Sequence, residues 1–190
     1  MSNRLQNRLQ TVTGPVTLGP LMKRTSNPEQ QLCLECGMCC NGVIFGDVTL
    51  RKGDDAARLE SLGLRMKGKR AFSQPCAALE GCRCRIYGER PKYCREFECV
   101  VLENVKSGRL KKTVARGIIR EAKKRVTRVE RLLNELGDRD KLKDLRGRVR
   151  CMARKLERPD LNEETRRVYG ELTLAMHDLN QLLREAFYPG

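Results

Sequence analysis

The stretch from Cys33 to Cys40, "CLECGMCC", puts four thiols into eight residues, the last two of them adjacent. A second group follows at Cys76, Cys82, Cys84, Cys94 and Cys99, and only Cys151 of the ten cysteines lies further on. The spacing C-x2-C suits a metal ion, because two intervening residues let the chain turn tightly and bring both sulfurs to one centre, with backbone N–H groups pointing at them. Gly37 supplies the freedom such a turn needs. A closed tetrahedral zinc site or a cubane iron-sulfur cluster takes four thiolates. Nine clustered cysteines therefore suit two such centres, or one larger polynuclear centre, with one thiol spare. Adjacent side chains leave the backbone in different directions, so Cys39 and Cys40 serve different metals, or one of them bridges two ions.

A four-thiolate centre holding Zn(II), or an oxidised 4Fe-4S cluster, carries a formal charge of about −2 that must be offset. Arg83, Arg85, Arg90, Lys92 and Arg95 are interleaved with the second group of cysteines and are placed to supply opposite charge. "IYGERP" reads as a packed turn holding Cys84 and Cys94 in place, with Pro91 fixing the backbone and Phe97 covering the site. Thiolate suits zinc and iron alike. The tandem C-x2-C-x2-C spacing is also one by which iron-sulfur clusters are held.

Taken together, "CLECGMCC", the lone Cys76 and "CRIYGERPKYCREFEC" resemble the CxxCxxCC cysteine-cluster family of zinc- or iron-chelating domains. The resemblance covers residues 33 to about 100 and includes positions that are not cysteine: Ile86, Tyr87, Arg90, Pro91, Arg95 and Phe97. It implies metal binding through Cys33, Cys36, Cys39, Cys40, Cys76, Cys84, Cys94 and Cys99, and leaves Cys82 and Cys151 outside the pattern.

The elements that must position these thiols fall into three regions. Residues 1–30 read as a disordered basic tail, rich in Gly, Pro, Thr and Asn. Residues 31–100 read as a loop-rich, cysteine-rich metal-binding module, with a short helix in "DDAARLESLGL" capped by Asp54 or Asp55 and an extended piece in "NGVIFGDVTL". Residues 101–190 read as a basic α-helical region. There Val114, Ile118, Ala122, Val126, Val129, Leu133 and Leu136 make one helix face that ends at Gly137, and Leu142, Leu145, Val149, Met152 and Leu156 make a second, stopped before Pro159. A third helix starts at Asn162 and runs through Val168, Leu172, Ala175, Leu179, Leu182 and Ala186. Short connections predict an antiparallel helical bundle or long helical hairpins, so the fold class is mainly α.

The net charge of +15 favours polyanionic partners, RNA or an acidic protein, approached through the basic helices. Residues 111–131 alone carry nine Lys/Arg against two Glu, yet no aromatic is interleaved to stack on bases. No apolar run approaches the roughly 20 residues that span a bilayer, and no secretory signal is recognisable in this N-terminus. The expected compartment is therefore the cytoplasm, where clustered thiols stay reduced and bind metal instead of pairing. The chain has no Ser/His/Asp triad, phosphate-binding loop, dinucleotide fingerprint or paired-carboxylate site. Asp47 is a minor candidate ligand, and the single histidine, His177, is expected on the third helix away from the thiols. Three functions follow. The first is a metal-binding protein for metal handling, sensing or electron transfer; the second, a structural-metal adaptor with a basic docking surface; the third, a metal-dependent enzyme.

Overall fold

The computed structural model describes residues 28–157 and 161–188. Apart from residues 28–30 the expected N-terminal tail lies outside the described residues, as does Pro159. The architecture is mainly α, with seven α-helices and two small antiparallel sheets among the described residues.

Three helices form the larger body: α5 (Lys112–Glu135), α6 (Leu145–Lys155) and α7 (Glu163–Ala186). The end of α5, at Glu135 and Leu136, shares a surface recess with Glu164, Thr165 and Val168 at the start of α7, so these two helices run antiparallel. Local chemistry sets their ends. Asn162 accepts a hydrogen bond from the Thr165 amide at 2.8 Å, and Asp144 accepts one from the Gly147 amide at 2.9 Å. Gly137, at φ +83°, closes α5: its amide bonds the Asn134 carbonyl while the Asp138 amide reaches back to that of Leu133.

Two details differ from the periodicity. Ala115 and Ile119 are buried in the first turns of α5 while Val114 is 49% exposed, because this half of the helix packs against α1 (Pro28–Cys36) and α4 (Val100–Lys106) as well as α7. Leu142 is exposed, since α6 begins only after the Asp144 cap.

The cysteine-rich part contains β1 (Asp47–Thr49), α2 (Ala56–Ser61), β2 (Met66–Lys67), β3 (Ala71–Ser73), β4 (Leu79–Glu80), β5 (Arg83–Cys84) and α3 (Lys92–Glu96). β3 lies between β1 and β2, with Val48 opposite Phe72, and β4 pairs with β5. Asp55 caps α2 through the Arg58 amide. Val48, Leu59, Leu64, Phe72, Ala78 and Ile86 form a small core here. The larger core joins Leu32, Cys36, Met38, Val43, Ile44 and Val101 to the helical residues Ile119, Leu172, Leu183 and Phe187. The chain following the first cysteine group is thereby seated on the end of the helical body. Tyr188 secures it, donating to the Ile44 carbonyl at 3.1 Å.

Candidate metal centre

Cys33 and Cys36 lie on the last turn of α1, and Gly37, at φ +70°, ends that helix with its amide on the Cys33 carbonyl. The chain then turns back, the amides of Cys40 and Asn41 both bonding the Gly37 carbonyl. Cys39 and Cys40 thus sit on a tight loop. The Cys76 amide donates to the Cys40 carbonyl at 2.7 Å, which brings the second group to the first. Cys84 ends β5, Cys94 lies in α3 and Cys99 caps α4.

All nine cysteines of the module line one cavity of about 160 Å3. Its remaining wall is mostly apolar: Phe45, Tyr93 and Phe97 cluster on it with ring centroids 4.8 to 6.1 Å apart, and Ile119 and Phe187 of the helical body also reach it. Cys151 and His177 are not on this wall. Cys151 is half-buried on α6 beside Lys143, and His177 is exposed. Asp47 is exposed as well, and pairs with Lys67.

Burial dominates the acidity of the thiols. It pushes Cys36, Cys40 and Cys94 up to about 12 and raises Cys33, Cys39, Cys76 and Cys99. Cys33 is exposed as a whole residue, but its sulfur lies among neighbouring side chains. The foremost electrostatic neighbours then differ from sulfur to sulfur. Cys39 feels Cys36 and Cys99 before Cys40 and Cys33, and Cys36 feels Cys99 and Cys33. Cys40 feels Cys76 and Cys84, and Cys94 feels Cys40, Cys76 and Cys84. Two contacts cross between these groups: Cys39 feels Cys40 ahead of Cys33, and Cys40 feels Cys33.

Whether this wall fits a metal is answered by its donors. It carries no carboxylate and no imidazole, which suits a thiophilic ion and not magnesium or calcium. Backbone amides hydrogen-bond the sulfurs of Cys36 (from Met38), Cys76 (from Ala78) and Cys99 (from Val101 and Leu102), lowering the cost of charge on them. Positive side chains oppose the burial: Arg90 acts on Cys33, Cys40 and Cys94, Arg65 and Arg85 on Cys76, Lys106 on Cys33 and Lys123 on Cys36. Gln74, only 2% exposed, leaves its Oε1 without a hydrogen-bond partner on the same wall, which costs about 1 to 3 kcal/mol in a filled protein interior. Among the described residues no three Cys, His, Asp or Glu side chains close on one point.

Residues 32–129, slightly more than half of the chain, match the family model described as CxxCxxCC, putative zinc- or iron-chelating domain. The chain belongs to the CxxCxxCC family. Its matched span takes in every cysteine of the cavity and runs into α5, so the family unit includes the helix against which α1 packs. No curated protein and no solved structure matches the chain.

Of the interleaved cations expected to offset thiolate charge in this CxxCxxCC module, Arg90 and Arg85 act on the cysteines, while Arg83 is exposed on β5, the Lys92 ammonium donates to the Lys52 carbonyl with its backbone amide on Asp54, and Arg95 donates to the Arg90 carbonyl. Arg65, Lys106 and Lys123 were not legible as members of the site, because each approaches from a distant part of the chain. Gln74 left no signal at all, being a lone polar residue in a turn.

Proposed function

We propose that this protein holds two neighbouring four-thiolate centres for zinc or iron, one built from Cys33, Cys36, Cys39 and Cys99, the other from Cys40, Cys76, Cys84 and Cys94. The observation that supports this reading is the meeting of all nine cysteines on one cavity wall, where Cys39 has Cys36 and Cys99 as its foremost neighbours and Cys40 has Cys76 and Cys84. Bound zinc would supply structural cross-linking, and bound iron or a 4Fe-4S cluster one-electron chemistry. Eight thiols would release their protons to solvent on binding; Arg90, Arg65, Arg85, Lys106 and Lys123 would offset the resulting charge, and the Phe45, Tyr93 and Phe97 rings would exclude water. Two centres this close suit metal handling, sensing or electron transfer in a reducing cytoplasm, and Cys82 is left outside both.

Metal and acid-labile sulfide analysis of anaerobically purified protein, with its visible absorption, tests the reading. Two equivalents of zinc and no colour identify zinc; iron with sulfide and visible absorption identifies clusters. Cys99→Ser and Cys84→Ser should each remove half of the metal. Loss of all of it from either variant would mean one shared polynuclear centre.

A second reading, an adaptor binding RNA or an acidic protein, is favoured by one surface. Lys111, Lys112, Arg120 and Lys124 are exposed on or beside α5 and form no ion pair among the described residues, whereas Arg116, Arg125, Arg128 and Arg131 pair with Glu35, Glu121, Asp178 and Glu135. Salt-dependent RNA retention that disappears when those four are neutralised would support it; no retention at low salt removes the RNA arm.

A further inference from the structure

Among the described residues, the Gln74 side-chain oxygen is the one buried neutral polar atom left without a partner, and it belongs to the cavity wall. The residue is 2% exposed, its Oε1 meets no donor, and its backbone is fixed by the bond from its own amide to the Gly46 carbonyl at 3.0 Å. It stands just beyond β3 and two residues before Cys76, whose amide is bonded to the Cys40 carbonyl. Both of those cysteines belong to the second of the two thiol sets.

Resting on the two-centre reading above, we propose that Gln74 is a positioning residue for the Cys40, Cys76, Cys84 and Cys94 centre, its side-chain amide donating an N–H···S hydrogen bond to a metal-bound thiolate. A primary amide suits this place for a physical reason. Neutral thiols are donors and thiolates are acceptors, and a half-turn of the terminal amide exchanges its oxygen for its NH2 group. The amide whose oxygen finds no donor here can thus turn its NH2 group to a metal-bound thiolate. A carboxylate of the same shape only accepts, and would set a negative charge against the thiolates. The first set has no such side chain; its sulfurs are served by backbone amides at Cys36 and Cys99. Cys76 of the second set also has a backbone donor, from Ala78, so the side-chain amide alone distinguishes that set.

Anaerobic cobalt(II) titration of the metal-free full-length chain, read by sulfur-to-cobalt charge-transfer absorption and accompanied by circular dichroism, tests this. Gln74→Glu should weaken the second centre by about tenfold or more, as loss of a hydrogen bond to a metal ligand commonly does. Gln74→Met, similar in length and apolar, should weaken it less, and both should leave the first centre unchanged. A Cys99→Ser background, in which only the second centre remains, assigns the affected site. Wild-type binding at the second centre in both variants overturns the proposal, as does equal weakening of both centres. Wild-type protein that takes up no cobalt overturns the two-centre reading and this inference together, whereas two wild-type equivalents with an unaltered second site in the variants overturn this inference alone.

Discussion

The Lys123 ammonium lies 3.6 Å from the Cys82 sulfur and also donates to the Glu35 carbonyl, so the ninth thiol of the module is held where α5 meets the last turn of α1. The Cys82 sulfur is 3.8 Å from the carbonyls of Glu35 and Cys36, and a Cβ on Gly37 would come within 3.2 Å of it. Cys82 is thus a packing and hydrogen-bonding group between the loop and the helical body. Cys82→Ser should keep the full metal content, since the hydroxyl retains the donor. Lys123→Ala should cost about 1 kcal/mol by loss of charge-assisted hydrogen bonds at a half-exposed position. Metal analysis and urea melts check both, and a Cys82→Ser protein lacking one equivalent of metal would make Cys82 a ligand.

Stability against pH should run in opposite directions with and without metal. In the metal-free fold burial holds Cys36, Cys40 and Cys94 at about 12, above the roughly 8.5 of an unfolded thiol. Between these values the unfolded chain has lost protons that the fold keeps, so the derivative of stability with pH is negative. The metal-free module should be stable below about pH 8.5 and lose stability progressively toward pH 12. Metal-loaded protein has already given up those protons, so its stability should instead fall on acidification as protons displace the ion. Circular dichroism melts of both forms across the range test this, and matching pH profiles would contradict it.

The helical region was open to reading because its apolar residues repeat at helical spacing and its boundaries carry Asn162, Gly137 and Pro159. The phase of α5 was not. Val114 and Ile118 satisfy the period as well as Ala115 and Ile119 do, and the choice is made by α1 and α4 packing on a second side. Helix α1 was hidden because its buried side is Leu32 and Cys36, with a thiol where a hydrocarbon is usually sought. Strands as short as Met66–Lys67 or Leu79–Glu80 offer no alternation to detect. The two cysteine groups that line the cavity were legible from spacing and motif. That Cys99 lies near Cys39 and Cys76 near Cys40 was not, because tertiary folding brings them together.

Two glycine substitutions should act with opposite sign. Gly42 has φ +83°, and a Cβ there would lie 3.0 Å from the Asp144 Cα and 3.2 Å from the Pro75 Cδ. Its carbonyl also accepts from the Leu145 amide at 2.9 Å, pinning the cysteine loop to the start of α6. Gly42→Ala should cost about 3 kcal/mol, combining left-handed backbone strain with the contact. Gly117 lies inside α5 with nothing within 4 Å of a Cβ, so Gly117→Ala should stabilise by up to about 1 kcal/mol. Thermal melts of the metal-loaded proteins read the two shifts, and a neutral Gly42→Ala would mean that the loop yields more easily than this packing implies.

Arg148 and Asp138 form a buried ion pair, Nε to Oδ2 at 2.8 Å, with side chains 5% and 7% exposed. Glu130 approaches the same guanidinium at 3.4 Å, yet Nη2 of Arg148 finds no partner. The pair joins the chain just after α5 to α6 and lies far in sequence from the thiols. Removing Asp138 leaves the buried guanidinium with only the half-exposed Glu130, so Asp138→Ala should cost up to about 3 kcal/mol. Replacing both, as Asp138→Leu with Arg148→Met, should recover most of that loss, because an apolar pair of similar volume avoids the desolvation penalty and the orphaned nitrogen. Urea denaturation of the three proteins checks the ordering. A double variant no more stable than Asp138→Ala would mean that the pair fixes the angle of α6 against α5 and does more than neutralise itself.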